Sequence, residues 1–371
     1  METVFRKRHR VILAMLLAVM GLASLEAILF HTRLYPRFLE PNSSTGLFEI
    51  ILWREQQAQH RLGDNLVVTV GNSRFAYSPK LADARVAQTG YYFRSAGDAG
   101  TNALAWYYML RDLDPTAQRY RAVVIGVDDY DDEDRDYQPD TDMSALHYVI
   151  ARLRWSDAIE FARSFHGRQM QWEAFRSTLL KGIVYQTDIQ AFLSHPLKRV
   201  ADVRLYYDGY PNWVYDYVES DVSMTGLQVD WATRKATFPA SFNKDQRDTI
   251  HDVLYAPGPQ NGRLAAYRRR WLGRIIDRYR GSRTKIIFVR LPRGPIVRPA
   301  YLSRKSSSSI RDFASRPNVF LVDEHALDSL EDPELFKDCA HLNREGTARL
   351  SVMMPDEVAR ILGPPFQRAA K

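Results

Sequence analysis

From Val11 to Phe30 the chain is almost uninterruptedly apolar, and this run decides where everything after it must fold. About 20 helical residues, at about 1.5 Å each, reach across the hydrocarbon core of a bilayer. Glu26 is the one charged residue in the run and lies near its far end, where a charge costs least. Arg6-Lys7-Arg8-His9-Arg10 precedes it, and a basic flank stays on the cytoplasmic side. The pattern predicts a basic cytoplasmic tail over 1–10 and a single-pass transmembrane anchor over 11–30 in the inner (cytoplasmic) membrane. It places the C-terminal domain on the periplasmic, extracytoplasmic side. A cleaved signal peptide ending near Ala23 or Ala27 is the competing reading, for which the apolar run is long.

Beyond the anchor, short β-branched runs punctuate the chain. Asn65-Leu66-Val67-Val68-Thr69-Val70 ends at Gly71, and Ala122-Val123-Val124-Ile125 ends at Gly126. Lys285 to Val289 and Val319 to Val322 repeat the pattern, and Tyr91 to Arg94 is a further candidate. Continuous apolar runs of this length suit strands buried on both faces. Helical spacing separates several of them, as over Asn102 to Leu113 before Pro115, which predicts βαβ units and a mostly parallel sheet. With 45% hydrophobic and 26% charged residues the chain can pack a globular core. Residues 31–62 read as a linker with a helix over Gly46 to Gln59. Segments 63–132 and 263–371 form the α/β domain. Residues 133–262, with helices around Ser144 to Leu193 and then an irregular aromatic stretch, form an insertion subdomain.

Two distant segments carry chemistry. Gly71-Asn72-Ser73-Arg74 follows directly on a buried strand, and open α/β sheets bind ligands at the carboxyl ends of their strands. A serine there can expose its hydroxyl beside backbone N–H groups able to hold an oxyanion. Helix N-capping is the plainer role for such a serine. Asp338-Cys339-Ala340-His341-Leu342-Asn343 lies near the other end of the chain. A serine hydroxyl needs a neighbouring base, and a carboxylate fixes the tautomer of a histidine base. The spacing of three lets Asp338 reach the His341 ring, with Asn343 capping a helix over Arg344 to Leu362. A polar loop before a helix is the plainer reading here.

Together these segments resemble the SGNH (GDSL-type) hydrolase and acyltransferase superfamily. Ser73 matches the serine of its first block, with Asn72 where an aspartate is usual. Asp338-x-x-His341-Leu342-Asn343 matches the last block closely. Ser95-Ala96-Gly97-Asp98-Ala99-Gly100 resembles the second block and implies an oxyanion role for the Gly97 N–H. Gly126-Val127-Asp128-Asp129 stands where the third block has Gly-x-Asn-Asp. A carboxylate at 128 cannot donate to an oxyanion, so Asp128 turns away, or Asn102 or backbone groups donate instead, or hydrolysis is weak. The order of serine and Asp-x-x-His behind an anchor also resembles DltD-type proteins that assist D-alanine transfer to cell-wall polymers. In the alginate-acetylation proteins the Asp-His pair precedes the serine, a poorer match.

The resemblance implies a flavodoxin-like three-layer α/β sandwich. Ser73, Asp338 and His341 form its triad, and Ser73, Gly97, Asn102 and Asp128 surround its oxyanion hole. It implies an O-acyltransferase, acetyl by default, acting on an envelope or exported polysaccharide through an acyl-serine and beside a membrane-bound O-acyltransferase. An O-acetylesterase of the same mechanism and an inactive structural subunit of a polysaccharide export complex are the alternatives. No metal or organic cofactor is required.

Other features read more plainly. The net charge of +7 fits an anionic lipid or polymer, and no nucleic-acid-binding signature is present. The acidic run Asp128, Asp129, Asp131, Asp132, Glu133, Asp134 and Asp136 reads as a solvated loop before calcium ligands. Arg268-Arg269-Arg270-Trp271 with Arg274, Arg278 and Arg280 reads as a solvated basic face, with anionic lipid contact as the sharper option. Tyr206, Tyr207, Tyr210, Trp213, Tyr215 and Tyr217 read as packing before a sugar platform. Ser306 to Ser309 reads as a surface loop. The lone Cys339 reads as a buried filler, and His325 as a less suitable base than His341.

Overall fold

In the computed structural model the short apolar runs become the strands of one parallel sheet. The structure describes residues 2–32, 34–59, 63, 65–132, 143–209, 221–255, 262–296 and 307–365. The chain opens with helices α1 (Glu2–Glu26) and α2 (Ser44–Gln59), then β1 (Leu66–Val70), β2 (Tyr92–Ser95), α3 (Ala103–Leu113) and β3 (Ala122–Val127). Helices α4 (Ala158–Ala162), α5 (Arg168–Leu179), α6 (Lys181–Val184), α7 (Gln186–Ser194) and α8 (Pro196–Gly209) follow. A small hairpin, β4 (Gln228–Asp230) and β5 (Lys235–Thr237), precedes α9 (Lys244–Tyr255) and α10 (Arg263–Arg278). Strands β6 (Lys285–Arg290) and β7 (Val319–Leu321) and helix α11 (Arg344–Leu362) complete the set used below.

The sheet order is β2-β1-β3-β6-β7, and every neighbouring pair is parallel. With the hairpin set aside this is the doubly wound order 2-1-3-4-5. The chain leaves β1 for one side and returns to pair on the other, so a crevice opens between the carboxyl ends of β1 and β3. Val67, Val124, Ile287 and Val289 share a core with Leu350, Met354, Val358 and Leu362, the apolar stripe of α11. The alternate residues Val68, Val123, Ile125, Ile286 and Phe288 are equally buried and face the other way. That face is left for α3 and α10, which pack on each other with the Tyr108 and Trp271 rings 5.9 Å apart. Strand β2 begins one residue later than its apolar pattern. Tyr91 is held in the preceding turn by the Thr89 hydroxyl and donates its own hydroxyl to Gly363 O.

The chain divides into two compact units, residues 1–50 with 146–209 and residues 51–145 with 210–371. The expected insertion is therefore not one body: 146–209 belongs with the N-terminal stretch and the remainder with the α/β unit. Within 133–262, residues 133–142, 210–220 and 256–261 lie outside those described. In the first unit the expected linker is folded. Phe30, Tyr35 and Tyr185 pack their rings within 5.4 to 5.6 Å of one another. Asp188 accepts hydrogen bonds from Glu40 N and the buried Arg199, at 3.0 and 2.8 Å. Glu49 and Arg152 form a buried two-point ion pair. Helix α1 and the π-helical turn that continues it, Ala27–His31, carry the single stretch, Ile12–His31, that is long and apolar enough to cross a membrane among the described residues.

In the α/β unit, Phe75 packs where Gly71 and Gly126 lack side chains. A Cβ on Gly71 would stand 2.6 Å from the Phe75 Cβ, and one on Gly126 would meet the Phe75 ring. Gly126→Ala is therefore expected to destabilise the protein by about 1–3 kcal/mol, the usual cost of overpacking. A lowered urea midpoint at unchanged slope checks this.

Candidate active site

Ser73 stands at the start of a single 3-10 turn, Ser73–Phe75, at the carboxyl end of β1. Asn72 has extended backbone and caps the turn, its Oδ1 accepting from Arg74 N at 3.0 Å. Phe75 N donates to Asn72 O at 3.0 Å. The buried Phe75 side chain, packed against Gly71 and Gly126, fixes the turn that carries Ser73.

His341 comes from a closed loop before α11. Phe336 and Leu342 pair as an antiparallel bridge, Lys337 N donates to His341 O, and Asn343 N donates to Leu335 O. Inside the loop, Asp338 Oδ1 accepts from Ala340 N at 2.8 Å and His341 N at 2.7 Å. The His341 Nδ1 lies 2.9 Å from Asp338 Oδ2 and 3.0 Å from Oδ1. Burial alone would raise the Asp338 pKa, but the imidazole and the two backbone donors outweigh it and hold the carboxyl below its ordinary value. Asn343 caps α11 through Gly346 N at 3.0 Å and donates to Glu334 O at 2.7 Å. Gly294, at φ +102°, lets a second loop approach, since a Cβ there would come 2.6 Å from Cys339 O.

These segments bring His341 Nε2 to 2.8 Å from Ser73 Oγ. With Nδ1 donating to Asp338, Nε2 is the lone-pair nitrogen and accepts from the serine hydroxyl. Serine, histidine and aspartate thus form one hydrogen-bonded series, although 268 positions separate Ser73 from His341.

Beside the series lies a cleft at the crevice between β1 and β3. Asn72, Asn102, Gly126, Asp128, Trp106 and Tyr267 are among its lining residues. The backbone at Gly97 approaches that at Gly71 so closely that a Cβ on Gly97 would stand 2.7 Å from Gly71 O. Asp98 N and Thr101 Oγ1 donate to the same carbonyl at 3.3 and 3.1 Å. Asn102 caps α3 by accepting from Ala105 N at 3.2 Å.

Asp128 is paired with the Arg74 guanidinium at 2.7 Å. Arg74 also donates to Pro292 O at 2.9 Å, so it bridges β1, β3 and the loop after β6. The carboxylate at 128 is directed to a cation and not left bare at the mouth of the site. The adjacency of Arg74 to Ser73 was the signal available in the sequence for this partner.

Other expectations need correction. Asp132 is buried and accepts from Ser307 and Ser309, so the described part of the acidic run is not all solvated. Glu133, Asp134 and Asp136 lie outside the described residues. Arg268 is buried as well and donates to Asp131 O, which removes it from the expected solvated basic face. Ser308 caps a short helix and Ser309 is fully buried, so these two are structural and not loop surface; Ser306 is outside the described residues. His325 is exposed and bonded to Asp328 at 2.7 Å, without contact to Ser73. Cys339 is half-buried against the main core. Tyr206 and Tyr207 belong to α8, while Tyr210, Trp213, Tyr215 and Tyr217 lie outside the described residues.

Asp98, part of the Ser95–Gly100 segment, has a charge environment that the sequence pattern does not reveal. Its side chain is buried, Oδ1 accepts from Ala99 N at 2.7 Å, and Oδ2 has no hydrogen-bond partner among the described residues. Burial pushes its carboxyl up from 3.8 to about 7. Between those values the folded state holds a proton that the unfolded state has released. Stability therefore falls as pH rises from about 4 through 7 and is flat beyond. Asp98→Asn is expected to flatten that fall and to make the variant the more stable protein at pH 8. Denaturation midpoints across this range check it, and superimposable profiles would refute it.

No protein-family model matches this chain and no curated protein matches it, so the arrangement of Ser73, His341 and Asp338 is the ground on which its function is read.

Proposed function

We propose that this chain is a membrane-anchored serine acyltransferase of the SGNH type, moving an acyl group, acetyl by default, onto a hydroxyl of an envelope or exported glycan. The observation that carries the reading is the hydrogen-bonded series Ser73 Oγ, His341 Nε2, Nδ1 and Asp338. A serine hydroxyl gains nucleophilicity only when a base can take its proton as it attacks.

The reaction runs as a double displacement. Ser73 Oγ attacks the acyl carbonyl carbon while its proton passes to His341 Nε2. Asp338 stabilises the imidazolium and keeps its orientation. The tetrahedral oxyanion is held by the backbone N–H groups of Ser73 and Gly97 and by the Asn72 amide, whose Oδ1 is already committed to Arg74 N. The C–O bond to the donor breaks, and His341 returns its proton to the departing oxygen. An acceptor hydroxyl then gives its proton to His341, attacks the acyl-serine and releases Ser73 Oγ–H. Water in place of the glycan hydroxyl gives hydrolysis, so the esterase reading shares every step but the last acceptor. The apolar α1 segment supports placement at a membrane, where a membrane-bound O-acyltransferase can supply the acyl group.

Arg74 keeps this site workable. Its ion pair neutralises Asp128, which would otherwise repel the oxyanion.

Two measurements test the reading. The full chain in detergent is expected to release nitrophenol from nitrophenyl acetate, and Ser73→Ala to lose roughly 1,000-fold or more of that rate. Turnover untouched by Ser73→Ala would remove the proposal. Arg74→Ala is expected to lower the same rate by roughly 10- to 1,000-fold, the scale of a disturbed oxyanion site. Adding Asp128→Asn to Arg74→Ala restores part of it, because the uncompensated charge is gone. Losses that simply add in the double variant would refute the neutralising role.

A further inference from the structure

We propose that the face of the first unit formed by Trp155, Ile159, Leu180 and Ile183 is immersed in the outer-leaflet lipid of the membrane that α1 crosses. The inference rests on the reading of α1 as a membrane anchor and is independent of the chemistry assigned to Ser73.

Depth follows from hydrogen bonds to the anchor itself. Gly182 N donates to the Glu26 carboxylate, at 3.2 and 3.3 Å to its two oxygens. Glu26 lies five residues inside the apolar span that ends at His31, about 7 Å along a helix axis. Gly182 is therefore held below the level at which the apolar span ends. At that upper end, Trp155 Nε1 donates to His31 Nε2 at 2.9 Å, and the two rings lie 4.9 Å apart. His31 Nε2 also lies 3.3 Å from Leu179 O. The chain from Leu179 to Gly182 thus runs alongside the last turns of the anchor.

Polarity at this depth is reversed from that of a water-facing surface. Lys181 is 1% exposed and directs its ammonium inward, donating to Ala151 O at 3.2 Å near the Glu49–Arg152 pair. Its neighbours Leu180 and Ile183 are 46% and 48% exposed, and Ile159, one turn beyond Trp155, is 59% exposed. Turning a lysine in and two aliphatic side chains out is unfavourable against water on both counts. Against acyl chains it is the favourable arrangement, because the lipid accepts the aliphatic groups and the ion pairs stay within protein. Trp155, with an exposed ring and its N–H satisfied by His31, suits the boundary between acyl chains and headgroups. The occupant is thus lipid, by continuity with the anchor.

The test uses the full chain reconstituted in phosphatidylglycerol–phosphatidylethanolamine vesicles. Cys339→Ser removes the sole native thiol, and single cysteines at Ile159, Leu180 and Ile183 carry nitroxide labels. Leu17 in the anchor supplies the lipid reference, and Lys198 on α8, tied to Phe38 through Arg199, the aqueous one. Labels at 159, 180 and 183 are expected to be relaxed by oxygen and shielded from a water-soluble nickel chelate, as at Leu17. Relaxation by nickel as strong as at Lys198 would overturn the proposal. So would labels immobilised and shielded from both reagents, the signature of a second copy or another protein on this face. A second measurement needs no cysteine change. Lipids brominated near the headgroup should quench a component of the native tryptophan emission that disappears in Trp155→Phe. Equal quenching in both proteins would count against the immersed face.

Discussion

The carboxylate of Asp338 is the contact on which the site depends. It accepts from two backbone N–H groups of its own loop and from the imidazole of His341. The same group thus shapes the loop and sets the ring within it. An isolated Asp–His pair on an exposed surface would lose most of its value to side-chain entropy and water. Here the loop is closed at its base by the Phe336–Leu342 bridge and anchored through Asn343 to the first turn of α11. The helix, in turn, is fixed to the sheet by the stripe from Leu350 to Leu362. Orientation of one ring nitrogen is therefore backed by the main core of the α/β unit.

Ser73 is backed from the other direction. Its turn is not held by a long helix but by one aromatic ring set into the space left by Gly71 and Gly126. Gly71 follows the last residue of β1 and Gly126 is the penultimate residue of β3, the two strands that flank the switch point, so a single side chain couples Ser73 to both. The same junction carries the Arg74–Asp128 pair, which spans the ends of β1 and β3. Packing and charge compensation coincide at the one place in a doubly wound sheet where a crevice must open.

Strands were legible because a strand buried on both faces reads as a continuous apolar run, and the runs at 66–70, 122–127 and 285–290 are Val- and Ile-rich. The Asp338–His341 spacing was legible because its partners are local in sequence. Charge was not. Arg268 looked like one of a string of solvated arginines, yet it is buried with Asp131 and Asp132, more than 130 positions away. Asp128 looked like an intruder in an oxyanion site because its neutralising partner lies in another block of the chain. Composition reports that charges are present, but only the fold reports which of them meet. The linker expected within 31–62 is folded for a related reason. Its aromatic residues Tyr35 and Phe38 find Tyr185 and Phe192 only once α6 and α7 are folded.

The same blindness works in reverse at Lys181. Periodicity assigns apolar residues to the inside and lysines to the outside, a rule that presupposes water as the surrounding solvent. In the first unit, Lys181 is enclosed with Glu49, Arg152 and Glu26, two acids and two bases that together need no counter-ion. Once the charges compensate internally, the outer surface is free to be apolar. Gly182 N donates to Glu26 and Trp155 Nε1 donates to His31, and both acceptors belong to the segment that is itself apolar enough to cross a membrane. The lone acid in that segment, an isolated cost when read in the sequence, becomes a point at which the folded unit holds it.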